Sequence, residues 1–217
     1  RLYKFKMNQN QLIKPLSEIA SSAGEAILDI YNSNFQVTTK NDQSPLTQAD
    51  LSSHHIIVDG LKNITPNIPI ISEENPLQSF DERKKWQEYW IIDPLDGTKE
   101  FVKKNGEFTV NIALIRNHKA VLGIVHVPVT QKTYIGCEGE GAQMFSPTQK
   151  PKQISVSNKI NQALRIVGSR SHRDESLDKF LAQIDKFEIK PVGSSLKFCL
   201  IAEGSADIYP RFGPTSE

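Results

Sequence analysis

An apolar run that ends in Asp93 and Asp96 and is followed by Gly97 and Thr98 constrains this chain more than any other feature. The apolar residues before Asp93 predict a buried strand whose end carries both carboxylates. Gly97 lets the backbone approach a ligand closely, and Thr98 supplies a hydroxyl and begins a short helix. Because backbone N–H groups at a helix start can bind an anion, the segment predicts a phosphate site beside two carboxylates.

Further acidic residues follow other predicted elements. Glu73 and Glu74 come directly after a second apolar run, residues 68–72, and Asp50 falls in the predicted first turn of a helix. Carboxylates gathered at one edge of a sheet form the oxygen site that Mg²⁺ prefers. An Asx turn followed by a helix cap explains residues 93–98 equally well on their own. The additional carboxylates favour metal-assisted hydrolysis of a phosphate ester.

Length and composition limit the possible domain count, partners and cellular location of the protein. The chain has 217 residues, which suits one large domain or two small ones, and its net charge of +1 argues against a nucleic-acid partner. No apolar run is long enough for a transmembrane segment. Cys137 and Cys199 lack metal-binding spacing and fit buried thiols in a reducing cytoplasm. Met7 is a candidate natural start, with residues 1–6 an upstream extension.

Hydrophobic periodicity predicts an alternation of helices and strands. Helices are expected over residues 10–32, 47–61 and 174–184, and after a cap at Ser194 or Ser195. The second helix would begin with a capping box, Thr47 to Asp50. Strands are expected over residues 68–72, 89–93, 108–114, 120–127, 133–137, 143–145, 164–167 and 206–209. The Pro- and Lys-rich residues 146–152 predict a boundary between subdomains 7–150 and 151–217.

Several motifs together resemble a known family. The segment DPLDGTKEF at residues 93–101, with the acidic pair before it, resembles the inositol-monophosphatase-like superfamily of Mg²⁺-dependent, lithium-sensitive phosphatases. The segments GEFTVNIAL at 106–114, GSSLKFC at 193–199 and YPRFGPT at 209–215 are similar to its bacterial 3′(2′),5′-bisphosphate nucleotidases. The resemblance runs from residue 11 to residue 217 and implies a layered αβαβα sandwich of two subdomains.

The resemblance also implies roles for individual residues. Two or three Mg²⁺ ions would be held by Glu73, Asp93, the Leu95 carbonyl and Asp96. The attacking water would be activated by Asp50, Thr98 and Glu73. The substrate would contact Glu73, Leu95, Asp96, Gly97, Thr98, Ser194, Ser195, Lys197 and Arg211.

The implied reaction removes the 3′-phosphate of adenosine 3′,5′-bisphosphate (PAP) to give AMP in sulfur assimilation, with 3′-phosphoadenylyl sulfate as a second substrate. An inositol monophosphatase or sugar bisphosphatase is the alternative, because substrate choice depends on loops outside the signature. The family's late Trp-Asp pair would follow Glu217. The resemblance therefore implies an incomplete C-terminal subdomain and little activity, or a non-catalytic nucleotide-binding protein. Peripheral attachment to the inner face of the membrane and oligomeric state are left open.

Overall fold

A seven-stranded sheet forms the centre of the protein, which a computed structural model describes at residues 9–33, 45–159, 163–169 and 175–212. The strands lie in sequence order, and only the first pair is parallel. Their bounds are β1 Ile70–Ser72, β2 Glu88–Asp96, β3 Thr109–Arg116, β4 Lys119–Val127, β5 Lys132–Cys137, β6 Gly141–Ser146 and β7 Gln149–Ile154.

Two long helices, α1 Gln9–Tyr31 and α2 Pro45–Ile64, pack on this sheet and on each other. The apolar residues of α1 recur at helical spacing, and its buried side chains include Leu12, Leu16, Ala20 and Ile27. The two helices approach closely at Gly60, where a Cβ would stand 2.6 Å from Ile19 Cγ1. Of the helices in the described residues, none is both long enough and apolar enough to cross a bilayer.

A second unit follows the sheet. Strands β8 Leu164–Ser169 and β9 Phe187–Val192 pair in parallel, and helices α5 Glu175–Leu181 and α6 Leu196–Ala202 accompany them. Two further short helices, α3 Phe80–Arg83 and α4 Thr98–Val102, belong to the first unit. The predicted layered α/β class is confirmed. The division into subdomains at residue 150 stays a prediction, and it falls inside β7.

Residues 146–152, where the sequence predicted a boundary between subdomains, lie largely in strands. Most of them form a hairpin with β6, and β7 pairs with β6 alone among the described strands. Pro151 lies at a register shift on an edge strand, where a residue without an N–H is tolerated. The exposed Lys150 and Lys152 protect the same edge from further pairing.

Several other predicted helices and strands have different bounds in the structure. Helix α2 begins at Pro45, so the predicted capping box at Thr47 does not form its N-terminus. The expected strand at residues 206–209 reduces to one bridge between Ile166 and Ile208. Strand β9 and helix α3, which begins with a capping box at Ser79, were not predicted. The polar residues 38–45 predict a loop, and residues 38–44 lie outside the described part of the chain.

Candidate active site

The two acidic segments meet because β1 and β2 are parallel. Ser72 pairs with Ile92, so Glu73 and Asp93 follow at the same level on neighbouring strands. Because neighbouring parallel strands run in the same direction, Glu73, directly after β1, lies beside Asp93 of β2. This topology brings together two carboxylates that are far apart in the sequence, as the sequence predicted.

The sequence predicted that this strand ends at Asp93, but β2 continues to Asp96 through a β-bulge. Asp93 lies opposite Asn111 and Asp96 opposite Thr109, so the register shifts between the two aspartates. A bulge bends the strand and changes the direction of its side chains. Pro94, which has no N–H to give to the ladder, lies inside the bulge.

Local hydrogen bonds fix the bulge. Leu95 N–H donates to Asp93 Oδ1 over 3.1 Å, which is the Asx-type turn that the sequence also allowed. The hydroxyl of buried Ser53 in α2 donates to the Pro94 carbonyl over 2.8 Å. Helix α2 and the bulge are therefore tied together next to the acidic cluster. The predicted metal-binding role of the Leu95 carbonyl stays a prediction.

Gly97 is required where β2 turns into α4. Its φ of 94° and ψ of 45° are left-handed, and a Cβ would stand 3.0 Å from the Glu107 carbonyl oxygen and 3.1 Å from Ser194 Cβ. Thr98 is exposed at the first position of α4. The leading N–H groups of a helix have no partner inside it, so they suit a phosphate oxygen. Because α4 spans five residues, these N–H groups matter more than a helix dipole.

Asp50 carries the strongest electrostatic signal at the site. Its Oδ1 is buried with no hydrogen-bond partner. Burial, then the charge of Glu74 and a hydrogen bond with it, and then the charges of Asp93 and Glu73 raise the pKa of Asp50 to about 8. The residue lies in the second turn of α2 rather than in the first, because the helix begins earlier than expected.

These carboxylates suit a hard divalent cation. Within the described part of the chain, no three Asp, Glu, His or Cys side chains already stand in metal-binding geometry. The donors are nevertheless all oxygens, burial and then the repulsion of neighbouring carboxylates raise the pKa of Asp50, and one buried oxygen lacks a partner. Mg²⁺ prefers such oxygen ligands and would neutralise the repulsion, so the residues fit this ion.

Glu74 is a site residue to which the sequence analysis gave no role. It is half-buried and bonded to Asp50, whereas Glu73 is exposed. The Glu74 N–H donates to Ser72 Oγ over 3.3 Å, and Ser72 Oγ also lies 2.8 Å from His54 Nδ1. The pair of adjacent glutamates was the available signal, but which one faces Asp50 depends on the turn after β1.

The loop before α6 forms the other side of the site. Ser195 N–H donates to Asp96 Oδ2, and Ser194, with a φ of 50°, packs its Cβ against Gly97. Ser195 precedes α6 and its side chain makes no capping bond, whereas the other predicted cap, Ser194, accepts through its hydroxyl from the Leu196 N–H over 3.3 Å. The predicted substrate residues Asp96, Gly97, Ser194 and Ser195 therefore do come together.

Lys197 is buried rather than on the surface. Its Nζ donates to the Ser194 carbonyl over 2.6 Å. Burial lowers the pKa of Lys197, while the carboxylates of Asp96 and Glu100 oppose that shift. Arg211 is close enough that its charge also lowers the pKa of Lys197, so the last predicted substrate residue joins the cluster. Residues 213–217 lie outside the described part of the chain.

Comparisons with known proteins agree with this fold. Residues 8–217 match the inositol monophosphatase family. The chain is 45% identical over 207 residues to the 3′(2′),5′-bisphosphate nucleotidase CysQ of Salmonella typhimurium, covering 94% of this chain and 82% of that protein. Identity to the CysQ protein of Buchnera aphidicola is 44% over 211 residues, covering 94% and 77%.

Solved structures show the same likeness. The crystal structure of CysQ from Bacteroides thetaiotaomicron, described as a bacterial member of the inositol monophosphatase family, matches with a TM-score of 0.83 and 39% identity over 93% of this chain and 80% of that one. SuhB of Mycobacterium tuberculosis matches in fold, with a TM-score of 0.74 and 22% identity over 93% and 77%. This chain belongs to the inositol monophosphatase family.

Proposed function

We propose that this chain is a Mg²⁺-dependent phosphatase that hydrolyses the 3′-phosphate of PAP to AMP and phosphate, with 3′-phosphoadenylyl sulfate as a second substrate. The observation that carries the reaction type is the parallel pairing of β1 and β2, which sets Glu73 level with Asp93 next to the buried oxygen of Asp50. The substrate is supported by the 45% identity to a protein named as a 3′(2′),5′-bisphosphate nucleotidase.

The acidic residues have two roles, metal binding and activation of the attacking water. Glu73, Asp93, Asp96 and the Leu95 carbonyl hold two or three Mg²⁺ ions, which supply positive charge for the phosphate and an acidified water when bound. Asp50 accepts a proton from the attacking water, because its buried carboxylate is a stronger base than an exposed aspartate. The Thr98 hydroxyl orients that water, and Glu73 assists at the same edge of the sheet.

The remaining residues hold the substrate. The N–H groups of Gly97 and Thr98 bind the phosphate that is removed, next to the acidic cluster. Ser194, Ser195 and Lys197 contact the nucleotide from the α6 side, and Arg211 adds positive charge for the second phosphate. Both cysteines are buried thiols, which supports a reducing, cytoplasmic setting.

The test compares phosphate release from PAP, inositol 1-phosphate and fructose 1,6-bisphosphate, each with and without Mg²⁺. We expect kcat/KM to be highest for PAP and activity to disappear when Mg²⁺ is chelated. Faster turnover of inositol 1-phosphate would favour an inositol monophosphatase. Saturable PAP binding without phosphate release would make the protein a nucleotide-binding protein and would contradict the proposal.

A further inference from the structure

Two polar residues of β3 face the aspartates of the site. In the antiparallel pairing of β2 with β3, Thr109 is the partner of Asp96 and Asn111 is the partner of Asp93. Residues directly opposite one another in a sheet present their side chains on the same face. Thr109 is fully buried, and nothing in the proposed chemistry so far uses it or Asn111.

The hydroxyl of Ser195 connects these two side chains. Ser195 Oγ donates to Asn111 Oδ1 over 2.7 Å, and it lies 2.9 Å from Thr109 Oγ1. A serine hydroxyl has one proton, which is already given to Asn111, so Thr109 must be the donor in the second bond. The order of donation is therefore Thr109 to Ser195 to Asn111.

The same serine holds a proposed metal ligand through its backbone. Ser195 N–H donates to Asp96 Oδ2, and that bond limits rotation of the carboxylate. With its hydroxyl held from two directions, Ser195 cannot turn its N–H away from Asp96 without breaking those bonds. Partners that orient a metal ligand affect metal affinity even though they do not touch the metal.

We propose that Thr109 and Asn111 are positioning residues that act through Ser195 to set the orientation of Asp96 for Mg²⁺. This inference rests on the metal site of the proposed function. It assigns the polar face of β3 a role in metal affinity, and it gives Ser195 a second role besides contacting the substrate. In this role Thr109 and Asn111 act through Ser195 and not as ligands of the ion.

The test measures Mg²⁺ affinity of the full chain by titration calorimetry, without substrate. Thr109→Val keeps the volume and removes the hydroxyl, whereas Thr109→Ser keeps the hydroxyl and leaves a methyl-sized gap. We expect Thr109→Val and Ser195→Ala to weaken Mg²⁺ binding by about tenfold, the lower end of measured effects for such partners. Thr109→Ser should bind Mg²⁺ within about twofold of the wild type, although it loses more packing.

A matched control lies on the same pair of strands. Arg116 bonds Glu88 at the far end of β2 and β3, so Arg116→Gln should lower stability and leave Mg²⁺ affinity unchanged. Hydrogen exchange supplies a second measurement without metal: the Ser195 amide should exchange faster in Thr109→Val than in Thr109→Ser.

The outcomes separate this inference from the proposed function. Unchanged Mg²⁺ affinity in Thr109→Val and Ser195→Ala, or an equal loss in Thr109→Ser, would overturn it. A wild-type chain that does not bind Mg²⁺ would overturn it as well. Intact Mg²⁺ binding with no hydrolysis of PAP would instead contradict the proposed function, and the pattern among the variants would still decide the role of Thr109.

Discussion

Gly193 lies directly against the side chain of Glu100: a Cβ at residue 193 would stand 2.7 Å from Glu100 Cδ. Glu100 is buried in α4, and Gly193 N–H also donates to Glu107 Oε2 over 2.8 Å. The contact with Glu100 and the bond to Glu107 therefore fix the start of the loop that contains Ser194 and Ser195 and leads into α6. The closeness of this contact can be tested by adding one methyl group.

We expect Gly193→Ala to force the loop away from α4 and to lower both stability and PAP turnover. Overpacking of this kind costs roughly 1–3 kcal/mol. Urea unfolding and phosphate release would be measured side by side. Gly136→Ala is the control, because a Cβ there has nothing within 4 Å. Equal effects in the two variants would mean that the contact with Glu100 is not what matters.

Asp93→Asn should abolish turnover and leave the fold nearly unchanged. The amide keeps the shape and can still accept from Leu95 N–H, but it removes the charge that a cation needs. A lost charge-assisted contact costs about 1.5–3 kcal/mol, which corresponds to roughly ten- to a hundredfold in occupancy. The measurements are kcat at saturating Mg²⁺ and the circular dichroism spectrum. Near wild-type kcat would exclude Asp93 as a ligand.

Asp50→Asn should stabilise the metal-free protein while it abolishes activity. The folded-state pKa of Asp50 is raised to about 8 from an ordinary value of 3.8, so the folded state binds more protons between these values. Stability of the metal-free wild type should therefore fall as pH rises through this window, and the variant should lack that loss. Thermal unfolding in chelator at pH 5 and pH 8 measures the difference.

The raised pKa of Asp50 also predicts how Mg²⁺ changes the stability of the wild type. Mg²⁺ should raise the Tm of the wild type more at pH 8 than at pH 5, because the cation binds the ionised carboxylates. A Tm for Asp50→Asn in chelator that is no higher than that of the wild type would contradict this account of the acidic cluster.

His126 should make the protein sensitive to acid. Burial lowers the pKa of His126 to about 4, so the folded state keeps the ring neutral while the unfolded chain protonates near 6.5. The contribution of His126 to stability is complete above pH 6.5 and is lost as pH falls towards 4. Between pH 7 and pH 5 the loss should be on the order of 2 kcal/mol.

His126→Gln is the comparison for this measurement, because glutamine can still bond Thr133 Oγ1, which lies 2.9 Å from His126 Nδ1. Denaturant unfolding of both proteins at pH 7 and pH 5 gives the difference in their pH dependence. If wild type and variant lose equal stability, the acid sensitivity comes from other groups.

Lys197→Met should raise KM for PAP by about tenfold and lower kcat less, because the apolar stem stays packed while the charge near Arg211 and the nucleotide is lost. KM for inositol 1-phosphate, measured in parallel, should change little. A fall in kcat as large as the rise in KM would show that the bond to the Ser194 carbonyl chiefly holds the loop in place.

The part of the site that could be predicted from the sequence is the part that is contiguous. Asp93, Asp96, Gly97 and Thr98 follow one another, and their chemistry can be inferred without knowing the fold. The Thr109–Ser195–Asn111 bonds join residues 84 and 86 positions apart, so they depend on the register of β3 and on the placement of α6. Neither was available from periodicity.

Elements were predicted most accurately where burial has a simple period. The pattern in β3 and β4 gave strands within two residues of the observed ends. Strand β7 was missed because exposure of most of its side chains removes the alternation, and Pro151 suggests a loop. The burial of Lys197 was missed because the carboxylates that accompany it come from β2, from α4 and from the segment before β3.

The bond between Ser195 and Asp96 has a thermodynamic consequence. Asp96 belongs to the seven-stranded sheet, and Ser195 to the segment that carries α6. If Mg²⁺ binds Asp96 more tightly when Ser195 holds it, the state in which the Ser195 N–H bonds Asp96 must become more populated, by the same factor, when Mg²⁺ is present. Mg²⁺ binding then stabilises the contact between the two units reversibly. Proteases should therefore cut the segment between β9 and α6 more slowly as the Mg²⁺ concentration rises.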